Sequence, residues 1–175
     1  MIRSKAVSRL SVLAMAAAMT VGMSRARAAA PLSTTDQQYL SQATEEVLGE
    51  ASLSRIADKH AKTEPVKKYA HDMISGAERM EKELHAEADK HNYVLPSKDE
   101  WAKANDARLH QLENSPDFDK AYLDEQIKDH QEMIKLWNKA AEKVDLASLK
   151  QWFTDKAADL QSQLDRATAL RDKAG

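Results

Sequence analysis

Between Pro116 and Val144 the apolar residues recur in alternating steps of four and three: Leu123, Ile127, Ile134, Trp137, Ala141 and Val144. That spacing draws one stripe along an α-helix. Where another aliphatic residue is due stands His130. A histidine there is either a satisfied core residue or a ligand. Ser115 is the expected cap of this helix, with Pro116 in its first position, where no N–H is needed.

The same periodicity predicts three more long helices. The first runs from about Asp36 to Ala61, with N-cap candidates at Ser33, Thr34 and Thr35 and inward positions Leu40, Ala43, Val47, Glu50, Ser54 and Ala57. The second, about Glu64 to His91, is capped by Thr63 and carries a seam of Val66, Ala70, Met73, Ala77, Met80, Leu84 and Ala88. The last, about Leu146 to Asp172, places Leu149, Phe153, Leu160, Gln163, Ala167 and Leu170 on its seam. Between the second helix and the one that opens at Pro116, Ser97 and Glu100 form a capping box. It opens one shorter helix to about Glu113, with Trp101, Ala104, Leu109 and Leu112 as its apolar positions.

Each long helix spans roughly 40 Å at 1.5 Å per residue. The segment from Asn92 to Ser115 is longer than a hairpin needs and can run the length of the molecule. The expected fold is therefore all-α: a ferritin-like four-helix bundle with a short extra helix in the crossover. Scarce aromatics, abundant charge and only four Gly and four Pro agree with that class.

Residues 1–28 stand apart. Three basic residues, the apolar run Leu10 to Met23 and Ala26-Arg27-Ala28 make a secretory signal peptide, cleaved after Ala28 or after Ala30. The domain then covers residues 33–172, and its expected location is periplasmic or secreted. The whole chain has 26 basic and 28 acidic residues. The signal removes five basic and no acidic residues, which leaves 21 against 28 and a formal charge of −7. Such a chain is a poor match for nucleic acid or an anionic membrane. No transmembrane segment is expected after cleavage. The absence of Cys excludes disulfides, thiolate metal sites and a lipoprotein anchor.

Polar residues on the seams are the candidates for chemistry: Glu50, His130 and Gln163. Glu50 and His130 fall near the middle of their helices, and with Gln163 they can share one polar layer of the core. A carboxylate facing an imidazole can hold a divalent metal or form a charge-assisted hydrogen bond. A di-iron site of the usual bundle type needs Glu-x-x-His on two helices. The residues three before the six histidines are Ala57, Lys68, Lys82, Ala88, Ala107 and Ile127, none of them acidic. Zinc-protease spacing, a phosphate loop and a nucleophile elbow are also missing. His60, His71, His85, His91 and His110 are expected on solvated faces or helix ends. Met73 with Met80, and Trp137 with Trp152 and Phe153, are expected as packing.

Several stretches together carry a family resemblance. They are Tyr39-Leu40, Glu50, Pro65-Val66-Lys67-Lys68-Tyr69-Ala70 with Met73, Leu95-Pro96, Phe118-Asp119-Lys120-Ala121-Tyr122-Leu123 followed by His130, and Leu149-Lys150. From Tyr39 to Leu170 the chain resembles the domain of unknown function 4142 family, exported bacterial proteins. The resemblance implies a ferritin-like fold. Where that family carries acidic residues and a histidine after the second-helix Met, this chain has Ser75-Gly76-Ala77. Ala157-Ala158 replace a Leu-Pro, and Gln163 stands in place of a last-helix histidine. Of the polar set, Glu50 and His130 remain. The expectation is a non-enzymatic binding or envelope stress-related protein, with no cofactor beyond a weak divalent metal at Glu50 and His130. The alternative is a metal-binding or redox protein with a degenerate site in the core.

Overall fold

The computed structural model describes residues 31–174; the signal-peptide expectation lies outside them. Among the described residues there are six helices and no strand: α1 (Thr34–His60), α2 (Glu64–Lys90), α3 (Lys98–Ala104), α4 (Asp106–Glu113), α5 (Phe118–Lys143) and α6 (Ala147–Ala174). None is long and apolar enough to cross a membrane.

α1 pairs with α2 and α5 with α6 as antiparallel hairpins, and the hairpins pack through α1 against α5. The end of α1 meets the start of α5, as in the hydrogen bond of Ser54 with Tyr122 (2.8 Å). α1 and α5 are therefore antiparallel, and α2 and α5 parallel. The segment from α2 to α5 runs the length of the molecule as a strap made of α3 and α4.

Start and stop signals act as elementary rules require. The Ser33 hydroxyl accepts from the Asp36 N–H at 3.1 Å. Asn92, at φ 53°, ends α2 in the left-handed region that Asn tolerates, while the Tyr93 N–H returns to the Ala88 carbonyl. The capping box of Ser97 and Glu100 is present. The expected seams of α1 and α2 are buried throughout, including both Met73 and Met80.

Four local expectations are corrected. The strap helix is two helices, because the Asn105 side chain donates to the Trp101 carbonyl at 2.9 Å and so competes with the backbone ladder. Within α3 and α4 only Leu112 is buried, and Ala104 is exposed. α5 starts at Phe118 with Asp117 as its cap, so Ser115 and Pro116 remain in the turn. The buried face of α5 is rotated from the expected stripe: Tyr122, Gln126, His130, Met133, Trp137 and Ala140 are buried, whereas Ile127, Ile134 and Ala141 are half-buried. α5 packs on both α1 and α6, so its buried arc centres between them.

Two hydrophobic clusters fill the interior. One contains Leu40, Val47, Leu84, Trp137, Phe153 and Leu160; the other contains Leu53, Tyr69, Met73, Phe118, Tyr122 and Leu123. Trp137, Trp152 and Phe153 pack on one another within the first, with ring centroids 5.0–6.2 Å apart. Near the boundary between the clusters lie Glu50, Ser54, Gln126 and His130, the polar belt of the core.

At each end an aspartate clasps one hairpin to the other. Asp36, in the first turn of α1, accepts from the Asp145 and Leu146 N–H groups of the α5–α6 turn, at 2.8 and 3.3 Å. Asp119, in the first turn of α5, accepts from the Lys62 and Thr63 N–H groups of the α1–α2 turn, at 2.7 and 3.0 Å. The Thr63 hydroxyl also donates to Asp119 (2.8 Å), so it makes no cap bond of its own to α2.

Candidate functional site

The three seam residues picked from the sequence do meet. His130 is fully buried on α5, and its Nδ1 lies 2.8 Å from the Gln126 carbonyl oxygen. A carbonyl only accepts, so Nδ1 carries the proton. His130 Nε2 lies 3.1 Å from Gln163 Oε1 on α6 and 3.7 Å from Glu50 Oε1 on α1. The expected hydrogen bond between Glu50 and His130 is thus replaced by one between His130 and Gln163, because 3.7 Å exceeds hydrogen-bond range.

Glu50 is left in an unusual state. It is 3% exposed, and neither carboxylate oxygen has a hydrogen-bond partner. The side-chain amide of Gln126, fully buried one turn before His130, is unpartnered too. Burial pushes the Glu50 carboxyl up to about 8, helped by the negative charges of Asp129 and Glu46. Burial pulls the His130 imidazole down, against its hydrogen bonds to Gln126 and Gln163. Both directions favour neutral side chains in the core. One proton can reside on Glu50 or on His130 Nε2 without changing the net charge of the layer. With the imidazole neutral, Gln163 satisfies Nε2 by turning its amide nitrogen toward it; with the imidazolium, its oxygen accepts.

The fourth long helix adds no carboxylate or imidazole to the layer; its buried Tyr69 donates its hydroxyl to the Gln163 backbone carbonyl at 3.4 Å. Gly76 of α2 faces Gln163, where a Cβ would stand 3.6 Å from the amide nitrogen, and its neighbour Ala77 is buried. Among the described residues no three His, Asp or Glu side chains are grouped closely enough to hold a metal ion. Of the other histidines, His60 stacks on Phe118 (5.7 Å) and reaches Glu113. His91 sits at a helix end, the C-cap of α2, with its side chain 7% exposed beside Glu87.

Beside the layer the strap covers a cleft of about 590 Å³, lined among others by Glu45, Glu46 and Gly49 of α1, Asp129 of α5, and Trp101 and Arg108 of the strap. The Arg108 guanidinium donates to Glu125 and to both oxygens of Asp129. Burial raises the Asp129 carboxyl, with Arg108 opposing. Glu46 is half-buried and has no hydrogen bond or ion pair among the described residues; burial and the charges of Asp129 and Glu132 raise its carboxyl to about 7. The sequence reading missed this wall. Glu46 sits one helical turn before Glu50 and Asp129 adjoins His130, a legible hint. The role of Arg108 was not legible, because its partners lie across the crossover.

The family model described as "Domain of unknown function (DUF4142)" matches residues 21–170. The chain belongs to this family. No curated protein sequence matches it. Among solved structures, the crystal structure of a DUF305 fragment from Deinococcus radiodurans superposes with a TM-score of 0.71, covering 82% of this chain and 99% of that one at 11% identity. At that identity the likeness speaks for the helical fold alone. The DUF4142 match leaves the role to be argued from the site.

Proposed function

We propose that this DUF4142 protein is an exported, ferritin-like four-helix bundle that works by binding and not by catalysis, in the periplasm or outside the cell. The observation that carries this reading is the donor set of the core layer. It offers one carboxylate, one imidazole already hydrogen-bonded at both nitrogens, and one amide, while α2 contributes neither a carboxylate nor an imidazole: Gly76 faces Gln163, and the Tyr69 hydroxyl donates to the Gln163 backbone carbonyl at 3.4 Å. Oxidase or storage chemistry at a bundle centre draws on carboxylates and histidines from all four helices. The strap-covered cleft supplies the concave surface that a binding protein needs. The long crossover joining parallel α2 and α5 supports the ferritin-like topology, and the apolar run ending at Ala28 or Ala30 supports export.

A second reading has its own observation. Both Glu50 oxygens are unpartnered beside His130, and His130 holds its Nδ1 proton on a backbone carbonyl, which is how metal-ligating histidines are commonly oriented. With Gln163 and water, Glu50 and His130 would make a weak divalent-metal site. Elemental analysis of protein purified from its host's envelope, with oxygen uptake followed during Fe(II) titration, separates the two readings. No stoichiometric iron and no oxygen consumption are expected. Saturable uptake that Glu50→Ala abolishes would establish the metal-binding reading instead. Intact mass of the exported species, expected to begin at Ala29 or Pro31, tests the export.

A further inference from the structure

Glu50 and His130 are sealed in the core, but the residue that closes their layer on the α6 side is not. Gln163 is half-buried, whereas Glu50 and His130 are 3% and 0% exposed. Its Oε1 lies 3.1 Å from His130 Nε2, and its amide nitrogen lies 3.6 Å from where a Cβ of Gly76 would stand. Gln163 therefore separates the buried pair from the surface seam between α2 and α6.

Along that seam polar side chains reach from helix to helix. Asp72 accepts from Arg166 at 2.7 Å, Glu83 accepts from Trp152 and Lys156 at 2.7 and 3.2 Å, and Glu87 accepts from Ser148 at 2.6 Å. Gly76 falls between Asp72 and Glu83, at the level of Gln163, and has no side chain to send across. Its roof is Gln163 together with the exposed Arg79, whose Nη2 is 4.0 Å from the same Cβ position. Long unbranched side chains at a surface change rotamer readily, whereas a packed aromatic ring does not. The opposite flank shows the contrast. There Gly49 is closed by Trp101, whose Cζ2 would stand only 2.9 Å from an added Cβ.

We propose that Gln163 is a hinged cover, and Gly76 the port beneath it, through which water reaches the buried Glu50–His130 pair. In the closed position Gln163 satisfies His130 Nε2. When its side chain rotates into the seam, where Arg79 yields, His130 Nε2 and the unpartnered Glu50 oxygens meet solvent. The α6 backbone stays in place. The Tyr69 hydroxyl holds the Gln163 carbonyl at 3.4 Å, and the ion pairs of Arg166 with Asp72 and Lys156 with Glu83 pin the two helices on either side of the port. The motion is confined to side chains, and the gate does not depend on what the protein binds elsewhere.

Deuterium exchange at the ring C2 of His130, read by mass spectrometry of its peptide with exposed His71 as internal reference, tests this. Gln163→Ala and Gln163→Met both lose the bond to His130, but Met keeps a side chain of similar length over the port. Exchange in Gln163→Ala is expected to be about tenfold faster than in Gln163→Met, since opening no longer has to move a cover. Gly76→Ala, whose methyl touches Gln163 in the closed position, should slow exchange about twofold relative to the parent. Trp101→Ala should leave it unaltered. Urea below the unfolding transition should also leave it unaltered, because a swinging side chain exposes little surface. If Gln163→Ala failed to fold, as circular dichroism would reveal, Gln163→Ser removes the cover equally and carries the same expectation. Equal rates in the Ala and Met variants would overturn the proposal by reducing Gln163 to a hydrogen-bond partner. Unchanged exchange in Gly76→Ala would overturn the port, a rise with urea would assign entry to unfolding, and acceleration in Trp101→Ala would assign it to the strap side.

Discussion

Three carboxylates are buried in this protein to nearly the same depth, and they are treated in opposite ways. Asp36 and Asp119, at the two ends, are 3% and 6% exposed and accept two and three hydrogen bonds. Glu50, in the middle, is 3% exposed and accepts none. The ends use their carboxylates as clasps: each hairpin's leading helix grips the other hairpin's turn, satisfying N–H groups that no helix ladder reaches. The middle holds its carboxylate against the solvation preference of the group. The satisfied carboxylates build the fold; an orphaned one costs stability and marks where function is to be sought.

Breaking a clasp should have the largest effect. Asp119→Ala strands the Lys62 and Thr63 N–H groups, and a loss of about 3 kcal/mol is expected in urea unfolding. Asp36→Ala, with one bond fewer, should cost less. If both variants are neutral, the ends hold together by apolar packing alone.

Glu50→Leu sharpens the contrast by moving the other way. The wild-type carboxyl sits near 8 when folded against an ordinary value of 4.5. Keeping it in the core at pH 7 therefore costs on the order of 3 kcal/mol. The variant is expected to be more stable than the parent, with a higher Tm. His130→Leu should instead lose about 1–3 kcal/mol, because the Gln163 amide and the Gln126 carbonyl lose its ring nitrogens. In the double variant, recovery beyond the sum of the single effects would measure the coupling across the 3.7 Å gap.

The same contrast predicts a pH dependence. A carboxyl raised on folding makes the native state bind more protons than the unfolded chain, so stability falls as pH rises between the two values. For Glu50 that window runs from 4.5 to about 8, and for Glu46 from 4.5 to about 7. His130, lowered by burial, acts oppositely below its ordinary 6.5. The Glu50 effect is therefore cleanest between about pH 7 and 8. There Tm should fall with rising pH in the parent and stay nearly flat in Glu50→Gln.

Two glycines give the smallest test. Gly76→Ala should stabilise α2 by about 0.5–1 kcal/mol, since its Cβ meets Gln163 at an ordinary 3.6 Å. Gly49→Ala should forfeit that gain, because its Cβ would stand 2.9 Å from Cζ2 of Trp101 and push the strap outward. Equal stabilisation by both would mean that Trp101 yields freely and does not wall the cleft.

Much of this was written in local sequence. The 3.6-residue period located all four long helices, and Ser33, Asn92 and the Ser97–Glu100 box marked real boundaries, because caps and periodicity depend on neighbours within a turn or two. The polar seam positions likewise singled out Glu50, His130 and Gln163. Local spacing did not say how far α5 would rotate, since that depends on packing against α1 and α6 at once. It did not reveal that Asn105 would split the strap, because an Asn inside a helical pattern competes with the ladder only when geometry permits. Nor did it show that His130 would bond Gln163 and leave Glu50 alone. That choice turns on a difference of 3.1 against 3.7 Å across three helices. Distances of that kind, like the Asp36 and Asp119 clasps and the grip of Arg108, arise between residues far apart in the chain. They are fixed only when the hairpins dock.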